Sequence, residues 1–274
     1  MPSTLKLGLI VPLTDGVEKV FATVAGLGLT TCQLNCWAPD ILDWKLAADV
    51  TAASKATGVE VSSFWAGHSG RTVWDFVDGP GTIGLVPTET RDARLAELKR
   101  GSDFAAMIEA PCVTTHVGFI DENGSSPQYL QLVETLRDLA GHCGRHGQVF
   151  CFESGQETPV TLLRTIEDVG TDNLGINFDP ANLILYGKAN PLDALEVFGR
   201  YVRGVHAKDG LYPTDGRHLG KEVLLGEGRV DFPKLIPKLK SLGYDAPLTI
   251  EREISGARQI ADIKHAISLL RELV

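Results

Sequence analysis

The chain has 274 residues, 43% hydrophobic and 22% charged, which excludes a fibrous or disordered protein. Lys+Arg 26 against Asp+Glu 35 leaves a formal net charge of −9, which argues against a general binder of nucleic-acid phosphates. No run approaches the ~18 apolar residues of a membrane span, and the first 16 residues lack the apolar core and cleavage site of a secretory signal, so a cytoplasmic protein is expected.

Residues 5–12 form a short apolar run closed by Pro12 and read as the first strand. Helical spacing follows over 16–27, and the Thr- and Cys-rich run 30–37 reads as the second strand. Pro39 opens a predicted helix to about Ala56, ended by Gly58, before a third strand over 59–67. The connection 68–87 is long and rich in Gly and Pro, as functional loops often are. Thr88 is the expected cap of a helix over 89–109, with Glu89 and Asp92 favouring its start. A fourth strand is predicted over 112–119, a helix from Pro127 to about His146, and a fifth strand over 148–154. A helix over 159–169, a sixth strand over 174–179, a helix over 191–199 and a seventh strand over 202–209 follow. A second long loop spans 210–230. The chain closes with a helix over 232–242, an eighth strand over 247–253 and an amphipathic helix from Ser255.

Alternating strands and helices imply parallel βαβ units. Eight units in 274 residues average about 34 residues each, which suits a single α/β domain, a closed (β/α)8 TIM barrel over residues 1–274. A doubly wound sheet is the alternative, but the turn VPLTDGVEK lacks the G-x-G-x-x-G of a dinucleotide fold. The cysteines Cys32, Cys36, Cys112, Cys143 and Cys151 are odd in number and contain no C-x-x-C pair, so neither structural disulfides nor a cysteine zinc site is expected.

In such barrels the active site forms at the C-terminal ends of the strands. Those ends carry Asn35 and Trp37, Trp65 and His68, His116, Glu153, Asp179, then His206 with Lys208 and Asp209, and last Glu251 with Glu253. Taken singly, Glu153 or Asp179 reads as a helix cap or a solvated loop residue, and His206 as a hydrogen-bonded core histidine. Glu153, Asp179, His206 and Glu251 share one position in four successive units, however. Three converging carboxylates would repel one another unless a cation lay between them. Three oxygen donors and one imidazole suit a divalent ion: Mn²⁺, Mg²⁺ or Co²⁺, with Zn²⁺ also compatible.

At these residues the chain resembles the sugar isomerase/epimerase branch of the xylose isomerase-like barrels. The motifs that carry the resemblance are CFESGQE around Glu153, INFDPANLILYG around Asp179, VHAKDG around His206, LGEGRVDF over 225–232 and LTIERE around Glu251. It is strongest over residues 148–253. The branch includes ketose 3-epimerases, hydroxypyruvate isomerases and inosose isomerases. The resemblance implies one divalent metal, often Mn²⁺, held by Glu153, Asp179, His206 and Glu251, with Glu153 and Glu251 as the acid/base pair. Two carboxylates on opposite sides of a substrate can remove a C–H proton beside a carbonyl and return one. The chain departs from the ketose 3-epimerase pattern at Asn182, where those enzymes tend to carry His, and again in lacking a clear counterpart of their substrate-contacting Arg shortly after the strand-seven His, for which Arg217 and His218 in the following loop are the candidates.

Trp37 and Trp65 can wall a sugar ring or serve as core, and His68 and His116 can meet substrate hydroxyls or only their neighbours. Lys208 shares the parity of His206 and can hold an oxyanion, while Asp209 orients His206 or a loop. Glu157 reads as a helix-start residue or an outer partner of the site, and Gly226 and Gly228 permit a tight loop. The leading reading is a metal-dependent isomerase or epimerase of a small sugar or derivative, phosphorylated or not. Alternatives are a lyase performing β-elimination at the same site, a phosphodiesterase of the barrel's DNA-repair relatives, and a non-enzymatic sugar-binding protein. The single tetrad and the −9 charge disfavour nucleic acid. A homo-dimer or homo-tetramer is expected, with no membrane partner.

Overall fold

The computed structural model describes residues 4–14 and 16–274. Its strands are β1 (Leu7–Pro12), β2 (Thr31–Cys36), β3 (Glu60–Ala66), β4 (Cys112–Thr115), β5 (Val149–Glu153), β6 (Leu174–Phe178), β7 (Val202–Ala207), β8 (Asp209–Leu211), β9 (Lys221–Val223) and β10 (Leu248–Ile250). All but β8 and β9 pair in parallel and close into a barrel in the order β1-β10-β7-β6-β5-β4-β3-β2. Met1–Ser3 and Asp15, part of the N-terminal segment and of the first turn read above, lie outside the described residues. Among those described, no helix is long and apolar enough to cross a membrane.

The outer ring comprises α1 (Val17–Gly26), α2 (Trp44–Thr57), α3 (Thr88–Met107), α4 (Pro127–Arg145) and α5 (Pro159–Val169). It continues, after a short α6 (Pro180–Leu185), with α7 (Pro191–Phe198), α8 (Phe232–Ser241) and α9 (Ala257–Arg271). Ser-Pro, Thr-Pro and Asn-Pro pairs start three of them: Ser126, Thr158 and Asn190 accept backbone N–H groups, and each proline fills the first helical position.

Side chains alternate across each strand. One parity faces the helices and builds the apolar shell, as where Phe64 meets Phe104 of α3 and Phe178 meets Phe198 of α7. The other parity fills the lumen, which is polar rather than aliphatic. Thr31, Gln33, Ser63, Thr114, Cys151, Asn177 and Thr249 line a cavity of about 400 Å³ at its N-terminal end. Two residues further along the same strands comes the layer that holds Asn35, Trp65, His116, Glu153 and Glu251.

Several boundaries differ from the sequence expectation. The second helix is broken: Pro39–Ile41 form a 3₁₀ turn, and α2 starts after Asp43, whose side chain accepts from Leu46 N at 2.8 Å. Thr88 is the first residue of α3, not its cap; Pro87 holds that position with no side-chain acceptor. β4 stops at Thr115 and β10 at Ile250, so His116 and Glu251 lie just beyond the ladder. The loop after β7 contains an antiparallel hairpin, β8 with β9. It meets the other long loop where Phe76 N donates to Arg217 O at 3.1 Å.

Candidate metal centre

Four barrel strands aim one side chain each at a common point. Glu153 ends β5, Asp179 follows β6, His206 lies in β7, and Glu251 follows β10. One donor atom from each lies within 4.8 Å of the others. His206 Nδ1 is 2.9 Å from Glu153 Oε1, 3.1 Å from Glu251 Oε2 and 3.7 Å from Asp179 Oδ2.

A buried hydrogen-bond relay behind this cluster orients His206. Asn177 Nδ2 donates to Glu153 Oε2 at 2.6 Å, so the Asn177 oxygen faces Gln33 and accepts from its Nε2 at 3.4 Å. That leaves Gln33 Oε1 as acceptor for the other side of His206, whose Nε2–H donates to it. The proton is thereby assigned to Nε2, and the Nδ1 lone pair points at the carboxylates. Nδ1 and Asp179 Oδ2 are both buried without a hydrogen-bond partner. Lone pairs facing one another in a buried site need a cation or an extra proton between them. Burial opposes a charged His206, but Glu153, Glu251 and Asp179 outweigh it and push its pKa well above the usual value. Burial, with Asp179 and Glu251 close by, lifts Glu153 to about 7 even though His206 opposes it. The donor set therefore fits a divalent ion, with imidazole nitrogen and carboxylate oxygens converging and their outer partners already in place.

Asp179 answers both readings of its sequence position. Its Oδ1 caps α6 by accepting from Asn182 N at 2.8 Å, while Oδ2 faces the cluster. Lys208 enters from the other side. Its ammonium lies 3.0 Å from Glu253, 3.2 Å from Glu251 and 3.5 Å from Asp179, and donates to Asn182 Oδ1 at 3.3 Å. Burial disfavours a charged Lys208, but these carboxylates reverse that and raise its pKa. In return Lys208 and His206 overcome the burial of Glu251 and hold its carboxyl well below the ordinary range.

Above the cluster is a cavity of about 350 Å³, walled on one side by Trp37, Trp65, Trp74 and His116, on the other by Asn182, Lys208, Glu251 and Glu253. Trp37 and Trp65 stand 4.8 Å apart, and Trp74 lies 5.1 Å from His116. Burial and the Lys208 charge lower His116 to about 3. The neutral ring donates Nδ1–H to Gln156 Oε1 at 3.1 Å, leaving Nε2 as an acceptor.

Three residues read from the sequence as candidate substrate contacts lie off the cavity lining. His68 is buried but spends both nitrogens on backbone, Nδ1 with Ser69 O at 3.1 Å and Nε2 with Gly84 N at 3.3 Å; it braces the 68–87 loop and does not line the cavity. Arg217 is exposed on the outer loop and does not line the cavity either, and the exposed His218 pairs with Asp215. Of the two roles read for Asp209, the loop role is seen. It accepts from the N–H groups of Gly210, Gly226, Gly228 and Val230. A Cβ on Gly228 would come within 2.0 Å of its Oδ1, which accounts for glycine in the LGEGRVDF motif. Glu157 lies before α5, whose cap is Thr158; its carboxyl is buried, with Oε1 unpartnered, and burial lifts it to about 8. Sequence reasoning missed Gln33 and Asn177, though each lies two residues before a strand-end residue and so shares its parity. It also missed Trp74, Tyr186 and Leu219, which loops and α6 bring to the cavity.

A sequence model of the family described as "Xylose isomerase-like TIM barrel" matches residues 21–273. The crystal structure of a xylose isomerase domain protein from Planctomyces limnophilus is 39% identical, covers 99% of this chain and 98% of its own, and superposes with a TM-score of 0.93. An uncharacterised protein of Methanocaldococcus jannaschii is 33% identical over 116 residues, 42% of this chain and 36% of that protein's length. A D-tagatose 3-epimerase-like protein shares the fold with a TM-score of 0.74 at 20% identity, over 98% of this chain and 99% of its own.

Proposed function

The chain belongs to the xylose isomerase-like TIM barrel family, and on that premise we propose that it is a divalent-metal-dependent isomerase or epimerase of a small sugar or sugar derivative. We assign residues 1–274 to one catalytic domain, acting in the cytoplasm as a homo-dimer or homo-tetramer. The observation that carries this reading is the convergence of Glu153, Asp179 and Glu251 on the unpartnered His206 Nδ1. A divalent ion held there, with Mn²⁺ first and Mg²⁺, Co²⁺ or Zn²⁺ as alternatives, would polarise the substrate's carbonyl and neighbouring hydroxyl and offset the charge that develops on them.

The chain's own residues supply the rest. Glu153 and Glu251 come from β5 and β10, so they approach a bound sugar from different sides. One removes the proton beside the carbonyl and the other returns it. Asn177 holds the Glu153 carboxylate by its Oε2, which leaves Oε1 toward the centre. Lys208 and Asn182 meet the substrate oxygens on the polar side, His116 accepts from a hydroxyl, and Trp37 and Trp65 cover the C–H face of the ring.

The test is a metal-supplemented screen of ketoses, keto-sugars, inososes and their phosphates, read by deuterium uptake from solvent and by product analysis. Exchange at the carbon beside the carbonyl with an isomeric product supports the reading. Exchange with loss of water or of an alcohol would instead assign a lyase. No exchange on any substrate with the metal bound would overturn the proton-transfer mechanism.

A further inference from the structure

A second cluster lies on the outside of the barrel, at the opposite end from the cavity. α4 ends there, where it feeds the N-terminal end of β5, and α3 runs beside it. His142 and His146 stand four residues apart, one helical turn, and so share a face. Asp103 of α3 reaches between them. Its Oδ1 is 2.7 Å from His142 Nε2 and 2.8 Å from His146 Nε2.

We propose that Asp103, His142 and His146 form a second divalent-metal site, of zinc type, that fastens α3 to α4. The three donor atoms lie within 4.8 Å of one another. The imidazoles are inclined at 64° with centroids 5.5 Å apart, so they converge on the carboxylate edge-on rather than stack. Two imidazole nitrogens and one carboxylate oxygen suit Zn²⁺ and its transition-metal neighbours, whereas Mg²⁺ and Ca²⁺ prefer oxygen alone. Ligands at ~2.0–2.1 Å in a tetrahedron require the nitrogen–oxygen separations to open by roughly half an ångström. The side chains can give that much, being 47% exposed at Asp103 and 33% at His146, and the same exposure leaves a fourth position to water. The two histidines overcome the partial burial of Asp103 and hold its carboxyl below the usual range, in the ionised form a metal needs.

One neighbour competes with the ion. Arg145 donates to His142 Nδ1 at 2.7 Å, which keeps the ring proton on Nε2. A metal on Nε2 moves that proton to Nδ1, so the exposed guanidinium must turn away. Arg145 therefore opposes binding by both hydrogen bonding and charge.

The experiment is equilibrium dialysis of the untagged full-length protein against Zn²⁺, counting ions per chain. His142→Gln/His146→Gln is expected to hold one ion fewer than wild type, with an unchanged circular-dichroism spectrum. Equal zinc in both proteins would overturn the proposal. Should the double variant fail to fold, Asp103→Asn, nearly isosteric, tests the same point: weaker zinc binding supports the site and unchanged binding overturns it. Arg145→Ala is expected to bind zinc more tightly, and weaker binding there would place the ion elsewhere. None of these substitutions touches the barrel donors. A failure of the barrel centre would therefore appear as a deficit shared by every variant.

Discussion

Gln33 touches no substrate in the proposed mechanism, yet its replacement tests how the centre is built. In Gln33→Leu the His206 Nε2–H and the Asn177 oxygen lose their partner in a fully buried site. Each buried polar group left unpaired costs about 1–3 kcal/mol, so the variant is expected to lose roughly 2–6 kcal/mol of stability. The imidazole is also no longer held in the tautomer that directs Nδ1 at the carboxylates. Removing such an outer partner typically costs about 10–100-fold in metal affinity. Gln33→Glu separates the two effects. It keeps an acceptor for Nε2–H but sets a carboxylate against the Asn177 oxygen, so it should lose stability while retaining more metal affinity than the leucine variant. Urea unfolding measures the first quantity and Mn²⁺ competition against a chelator the second. A folded Gln33→Leu protein with wild-type Mn²⁺ affinity would refute the tautomer argument.

Glu153→Gln and Glu251→Gln should each lose at least ~10²–10⁴-fold in turnover, and one of them should still exchange substrate hydrogen with deuterated water; near-normal turnover in either folded variant would remove that residue from the acid/base pair. If the proposed ion is bound, stripping it with a chelator leaves Glu153, Asp179, Glu251 and Glu253 facing one another with Lys208 and a protonated His206 as counter-charges; the melting temperature should fall and recover on adding Mn²⁺, by about 2.7 kcal/mol of stability at 100 times the dissociation constant. Buried Glu157 predicts a pH dependence. Its ordinary value is 4.5 and its folded value about 8, so as pH rises the unfolded chain releases this proton first and stability drains between those two values. At pH 7 the loss is on the order of 3 kcal/mol. Glu157→Gln should therefore stabilise at pH 7 and have little effect at pH 4.5, and an equal effect at both would sink the assignment.

The tetrad was legible because each member ends an apolar run. A lone Glu, Asp or His after Phe152, Phe178, Val205 or Ile250 stands out, and period-two alternation then places all four on one side of the sheet. Lys208 follows from the same parity. Gln33 and Asn177 were not legible by that route, since a polar residue inside a strand reads as solvent-facing unless the lumen is known to be polar. His68 and Arg217 lie off the cavity lining because a loop position does not follow strand parity. The 68–87 and 210–230 loops fold back on themselves, so Trp74 and Leu219 reach the cavity while His68 and Arg217 do not. α6 escaped notice because six residues are too few for a periodic pattern, and its only local sign is the Asp-Pro that starts it.

The polar lumen ties these observations together. Bulky aliphatic residues usually fill the interior of such a barrel. Here the layer beneath the candidate metal centre is Gln33, Ser63, Thr114, Cys151, Asn177 and Thr249, and it leaves a cavity of about 400 Å³ below. The packing that an aliphatic layer would provide is carried instead by the shell between sheet and helices, where Phe64, Phe104, Phe150, Phe152, Phe178 and Phe198 are fully or almost fully buried. Dividing the two roles in this way frees the lumen to hold hydrogen bonds. Gln33 and Asn177 can then connect His206 to Glu153 from below, a route that aliphatic side chains could not supply. Substituting the shell should therefore cost stability with little change at the centre, whereas an apolar residue in the lumen layer should damage the centre even where it packs well.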